Sequence, residues 1–211
     1  MTSKRSLVRR TAAVAASAAA ALVLAACGGN GDSSAGHDGH SKKSPSASAS
    51  ASQGQQNAAD VAFAKGMIPH HRQAVEMADL APSRAGSAEV KNLAEQIKKA
   101  QDPEIKTLSG WLTSWGEEVP AEGAMDHSEH GMSGMSGMMT AEEMDKLKDS
   151  SGKAFDTAFL EMMIKHHEGA VSMAETEKAD GSYEPAKKMA DAIITSQTTE
   201  ITQMNELLGK N

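Results

Sequence analysis

Slid by 96 residues, the chain matches itself without a gap: residues 60–112 lie over 156–208 with 18 identities in 53 positions. A chain that repeats one unit folds by stacking the copies, so what one copy can form bounds the whole. Phe63, Met67, Ile68, His70, His71, Ala74, Val75, Met77 and Ala78 recur as Phe159, Met163, Ile164, His166, His167, Ala170, Val171, Met173 and Ala174. Further on, Ala94, Ile97, Gln101, Glu104, Ile105 and Leu112 recur as Ala190, Ile193, Gln197, Glu200, Ile201 and Leu208.

Each copy reads as two helices. Phe63, Met67, His70, Ala74 and Met77 step by three and four residues, and so do the apolar positions from Leu93 to Leu112. The breaks fall at Pro82–Gly86 and at Ala179–Ser182. Two duplicated helical hairpins predict an all-α protein, a four-helix bundle of up-down type. Tyr183-Glu184-Pro185 fits a helix start with Pro in its first turn. Pro69 and Pro103 each delete a backbone donor inside a helical run, which predicts a kink or a restart at both. Neither recurs; Lys165 and Thr199 stand in their places.

Ahead of the repeat, Lys4, Arg5, Arg9 and Arg10 precede an apolar run from Ala12 to Ala26 that ends at Cys27. A basic stretch followed by an apolar one is the layout of an export signal, and this run is too short and too Ala-rich for a membrane span. Leu24-Ala25-Ala26-Cys27 resembles the bacterial lipobox, which implies lipidation of Cys27 as the first mature residue. Since Cys27 is the chain's single cysteine, the mature chain then has no free thiol and no disulfide. Without the four leading cations, 17 Lys and Arg face 28 Asp and Glu, and the net charge moves from -7 to -11. That balance excludes a nucleic-acid binder, whose phosphate contacts need surplus cations. It suits a body held off a membrane by its lipid alone. Aromatics at 3% leave no stacking platform.

The organisation follows: 1–26 a lipoprotein signal peptide, 27–57 a Gly/Ser/Ala/Gln tether, 58–118 the first hairpin repeat, 119–152 a Met/His-rich connector, and 153–211 the second repeat.

The paired segments Met-Ile-x-His-His-x-x-Ala-Val-x-Met-Ala, each followed by Ala-x-x-Ile-x-x-x-Gln-x-x-Glu-Ile, resemble the family catalogued as domain of unknown function 305. The resemblance covers about residues 58 to 209. It implies a ferritin-like helical bundle of exported bacterial proteins, some of which bind copper.

The residues point the same way. All 8 histidines fall in pairs: 37/40, 70/71, 127/130 and 166/167. On a helical wheel His70, Met67 and Met77 share the inward face and His71 flanks it; His166, Met163, Met173 and His167 repeat the pattern. Imidazole with thioether is a soft donor set, suited to Cu(I) or Ag(I) and poor for Mg, Ca or Mn. The plain alternative is that the methionines only fill core and that the histidines are structural. Buried imidazoles then need partners to avoid roughly 1–3 kcal/mol each, and Glu104, Glu200, Gln101 and Gln197 are placed to serve.

The connector carries His127, His130, Met132, Met135 and Met138, the last three spaced by three among Ser and Gly. Flexible polar neighbours predict that these methionines are not core, and the run resembles the copper-binding segments of exported copper-handling proteins. His37-Asp38-Gly39-His40 in the tether adds a harder pair.

These features predict an extracytoplasmic, lipid-anchored metal-binding protein that sequesters copper or passes it to a delivery partner, without catalysis. One alternative is a helical protein-interaction lipoprotein that binds no metal. The other is a ferritin-like di-iron enzyme, which needs Glu-x-x-His. Met67 and Ile68 stand three residues before His70 and His71, and Met163 and Ile164 before His166 and His167, so that carboxylate is missing in both copies.

Overall fold

The computed structural model describes residues 55–122 and 136–210. Five helices make up the described fold: α1 (Ala58–Arg84), α2 (Ala88–Trp115), α3 (Ala141–Asp149), α4 (Gly152–Asp180) and α5 (Glu184–Leu207). α1 packs on α2, α4 on α5, and the two hairpins meet along α1 and α4. The result is a four-helix bundle with α3 as a short addition.

Helix boundaries follow local chemistry. Asn57 opens α1 with a capping box, its side chain accepting from Ala59 and Asp60 while the Asp60 carboxylate accepts from the Asn57 N–H. Ser87 caps α2, and Thr140 with Glu143 forms a second capping box on α3. Gly116, at φ 74°, closes α2 in the left-handed conformation that favours glycine. Pro185 sits in the first turn of α5.

Neither Pro69 nor Pro103 restarts a helix: α1 and α2 run through them, and Pro82 lies in the last turns of α1. Each proline removes one backbone hydrogen bond from a helix of 27 or 28 residues. Burial on either side of the gap holds the helix together.

The duplication produces a reciprocal lock. Asp60, at the first position of the repeat, accepts from the N–H groups of Ser182 (3.1 Å) and Tyr183 (2.9 Å) in the hairpin turn of the second repeat. Asp156, its copy, accepts from Gly86 and Ser87, both at 2.9 Å, in the turn of the first. Each repeat thus seals the other's turn, which sets α1 and α4 antiparallel.

The apolar core is split in two. One cluster holds Met77, Leu93, Ile97, Phe155, Phe159, Met163 and Met204. The other holds Phe63, Met67, Ile68, Leu108, Leu112, Ala170 and Ile193. Each fully buried large side chain contributes roughly 1.5–3 kcal/mol through removal from water. On all four long helices the change from one cluster to the other falls at polar residues. These are His70 and His71 on α1, Gln101 on α2, His166 and His167 on α4, and Gln197 on α5, all buried. The bundle therefore carries a polar layer at its waist.

Candidate metal centre

Four histidines form the heart of that layer. His70, His71, His166 and His167 are fully buried. The antiparallel crossing of α1 and α4 brings the rings of His70 and His166 to 3.8 Å between centroids, tilted by 44°. His166 and His167 stand 6.5 Å apart by the same measure. The two sequence pairs are thereby joined in one layer.

The second helix of each hairpin supplies a carboxylate. His71 Nε2 lies 2.8 Å from Glu104 Oε2, and His167 Nε2 lies 2.6 Å from Glu200 Oε2. A carboxylate only accepts, so each Nε2 carries a proton, and in the neutral ring Nδ1 keeps the lone pair. His70 Nε2 donates to the Ser136 carbonyl at 3.2 Å, which assigns His70 the same tautomer. The Nδ1 atoms of His70, His71 and His167, and both ring nitrogens of His166, are buried without a hydrogen-bond partner. So are Gln101 Oε1 and Gln197 Oε1.

Burial drives His70 down to about 3, helped by the neighbouring His71 and opposed by the Ser136 carbonyl. Burial, then His70, His167 and His71, lowers His166 well below the ordinary histidine range. Both are neutral imidazoles at physiological pH, the form in which a ring nitrogen binds a metal.

The methionines of the repeat divide between the two apolar clusters. Met77 and Met163 pack on one side of the layer, Met67 and Met173 on the other. Met67, Met77 and Met163 are fully buried. Met173 is half-buried, with its methyl against Gly66. Thioethers flank the imidazoles from both sides. Among the described residues no group of three or more His, Cys, Asp or Glu could hold a metal ion.

The connector closes over the layer. The expectation that Met138 stays out of the core is wrong: Met138 and Met139 are buried. Gly137, at φ 85°, turns the chain inward, and Gly169 on α4 leaves room for it; a Cβ there would stand 1.9 Å from the Ser136 oxygen. The Gln73 amide then exchanges two hydrogen bonds with the Met139 backbone, at 2.7 and 2.8 Å. Helix α3 follows within the segment read as connector. Cys27, His37, His40, His127, His130, Met132 and Met135 lie outside the described residues.

One buried acid escapes the sequence reading. Glu177 is buried and neither carboxyl oxygen has a hydrogen-bond partner. Burial pushes it up to about 8, with Asp60 adding to the rise and Lys187 opposing it. Burial also pushes Asp60 upward, but the Asn57 N–H, the Glu177 carboxyl and the Tyr183 and Ser182 N–H groups outweigh it and hold Asp60 below its usual value. A proton resting on Glu177 beside the ionised Asp60 carboxylate accounts for both shifts. The repeat offset pairs Glu177 with Ala81, and that break in the duplication is the only sequence signal for it.

The family model described as Domain of unknown function (DUF305) matches residues 60–208. The chain belongs to the DUF305 family. A crystal structure of a DUF305 protein from Streptomyces coelicolor is 36% identical, with a TM-score of 0.64 over 72% of this chain and 93% of that one. A DUF305 fragment from Deinococcus radiodurans is 26% identical, with a TM-score of 0.65 over 74% and 98%. CopM in its Cu(I)-bound form is 33% identical, with a TM-score of 0.58 over 70% and 94%. CopM is also solved in Cu(II)-bound, Ag-bound and apo forms. A search of the curated proteins finds no match.

Proposed function

We propose that this DUF305 protein is an extracytoplasmic, lipid-anchored metal-binding protein that sequesters or passes on copper as Cu(I), with Ag(I) as a mimic. The observation that carries this reading is the waist layer, where buried neutral imidazoles from both repeats converge with unpartnered ring nitrogens. Leaving those nitrogens unpaired costs on the order of 1–3 kcal/mol each in the metal-free protein. A soft monovalent cation recovers that cost by accepting the lone pairs, and no proton has to leave.

The donor set fits such an ion. His70, His71, His166 and His167 would supply nitrogen, no more than two of them to one ion, and Met67, Met77, Met163 and Met173 would supply thioether sulfur from the flanking clusters. These donors favour Cu(I) and Ag(I) over ions that want oxygen. Binding of Cu(I), Cu(II) and Ag by CopM, a relative over most of the described fold, supports the same choice. The His127, His130, Met132, Met135 and Met138 run of the connector is a second donor set of similar softness.

The export layout of residues 1–26 and the relation to a secreted DUF305 protein support a place outside the cytoplasm. Cys27 is the proposed lipid anchor, the only membrane link, and a copper-delivery protein the proposed partner. The role is binding, not catalysis, because alkyl and thioether side chains occupy the positions where a di-iron site needs carboxylates. X-ray absorption on the Cu(I)-loaded protein tests the donor set. Nitrogen with sulfur in the inner shell is expected; an all-oxygen shell overturns the reading.

A further inference from the structure

The duplication is broken where the connector crosses it. The repeat offset pairs Gln73 on α1 with Gly169 on α4, and the strap of residues 136–139 touches both. One copy grips the strap: the buried Gln73 amide donates to the Met139 carbonyl at 2.8 Å and accepts from its N–H at 2.7 Å. The other copy makes room: a Cβ on Gly169 would stand 1.9 Å from the Ser136 oxygen, and one on Gly137 would stand 2.6 Å from the Lys165 carbonyl oxygen. Glutamine in both copies would leave no space for the strap. Glycine in both would remove its grip.

The consequence falls on one histidine. His70 lies three residues before Gln73, one turn away on the same face of α1. Ser136 lies three residues before Met139, so the grip on Met139 sets the Ser136 carbonyl against His70 Nε2, at 3.2 Å. A carbonyl oxygen only accepts, which keeps the proton of the neutral His70 ring on Nε2 and its lone pair on Nδ1. Glu104 and Glu200 do the same for His71 and His167. His166, the copy of His70, differs: neither of its ring nitrogens has a hydrogen-bond partner among the described residues. Three of the four rings are fixed by a group behind them, and the fourth can offer either nitrogen.

We propose that the strap is a positioning device for the histidine layer: Gln73 and the Ser136 carbonyl fix His70 with Nδ1 open to a soft ion, and leave His166 as the ring that shifts its proton to complete the pair. The inference rests on the copper reading above. A ligand histidine whose second nitrogen donates to a carbonyl or carboxylate is held in one tautomer and one orientation before the ion arrives. The fixed ring gives the ion a defined first donor, and the unfixed ring supplies the second from whichever nitrogen faces it. The competing explanation is packing alone, in which the strap fills the seam between α1 and α4 and the tautomers are indifferent to it.

Nitrogen-15 NMR of histidine-labelled protein separates the two, because protonated, lone-pair and metal-bound ring nitrogens resonate apart. Ag(I) is the probe, a diamagnetic stand-in for Cu(I), with its affinity measured by chelator competition. In the metal-free native protein His70 is expected as the Nε2–H tautomer alone and His166 as a mixture of both. With Ag(I) bound, His70 Nδ1 shifts while its Nε2–H persists, and His166 collapses to one tautomer. Gln73→Leu removes both bonds to Met139 at similar volume, and Gly137→Ala pushes the strap off α4. Each is expected to put His70 into a tautomer mixture and to weaken Ag(I) binding by about tenfold or more, while His71 and His167, held by their glutamates, keep their native signals. The native spectrum needs no variant: His70 protonated on Nδ1, or His166 in a single tautomer without metal, overturns the proposal by itself. So does a change in only one of tautomer and affinity, or in neither, when the strap is loosened. A native protein that binds no Ag(I) overturns the copper reading and the strap's role with it, whereas Ag(I) bound through His70 Nε2 overturns the strap alone.

Discussion

His70 and His166 lie 96 positions apart and bring their rings within 3.8 Å, centroid to centroid, in the middle of the bundle. Neither is charged, and His166 satisfies neither of its ring nitrogens. For stability alone this is a poor use of a core position. A leucine of similar size would fill the space without stranding polar atoms.

His166→Leu is therefore expected to leave the metal-free protein as stable as before, or to stabilise it by about 1–3 kcal/mol, because the stranded nitrogens are removed. Urea unfolding of the metal-free protein checks this. A loss of more than about 2 kcal/mol would mean that the imidazole makes a structural contribution that its contacts do not reveal.

Glu177 gives the fold a pH dependence of defined sign. Its pKa rises from 4.5 to about 8 on folding, so the native state keeps a proton that the unfolded chain has released across that window. Stability contributed by the protonated pair is full below about pH 4.5 and is lost as pH rises toward 8, since there the unfolded state binds fewer protons. Glu177→Ala, which restores the Ala81 pattern of the first repeat, is expected to flatten that part of the stability–pH curve. Unfolding free energies of both proteins at several pH values between 5 and 9 check it. Parallel curves would show that Glu177 titrates normally.

Gly169 is expected to resist even the smallest side chain. A Cβ would stand 1.9 Å from the Ser136 oxygen and 2.6 Å from its carbonyl carbon, with backbone on both sides. Gly169→Ala forces the connector off α4, which breaks the Ser136–His70 bond and pulls Met139 from Gln73. The expected cost is about 1–3 kcal/mol, with faster amide exchange at Met139. Gly110→Ala on α2 is the control: nothing lies within 4 Å of its Cβ, and replacing a helical glycine is expected to stabilise by about 0.5–1 kcal/mol.

Much of this was legible in the residues. The repeat offset fixed four long helices. It also paired His70 with His166, and Glu104 and Glu200 as partners for their layer, because two copies of one hairpin stack about a pseudo-twofold axis. The helical wheel placed His71 and His167 at the flank, yet both are fully buried: the carboxylate from the neighbouring helix satisfies Nε2 and lets the ring enter. Met138 and helix α3 were not legible. Ser and Gly neighbours read as a loose linker, and only the Gly137–Gly169 contact and the Gln73 amide, distant in sequence, draw the chain into the core. Asp60 and Asp156 stood in the repeat as an identical pair, but their reciprocal bonds cross between repeats and leave no trace in either helix's periodicity.

The central claim is that the histidine layer, where His70 meets His166 across the two repeats, binds a soft metal ion. Cu(I) titration of the protein against a competing chelator, native beside His70→Ala with His166→Ala, tests it most directly. The account predicts binding tighter than micromolar in the native protein and its loss in the variant. Native affinity weaker than micromolar, or affinity unmoved by the double substitution, would contradict it.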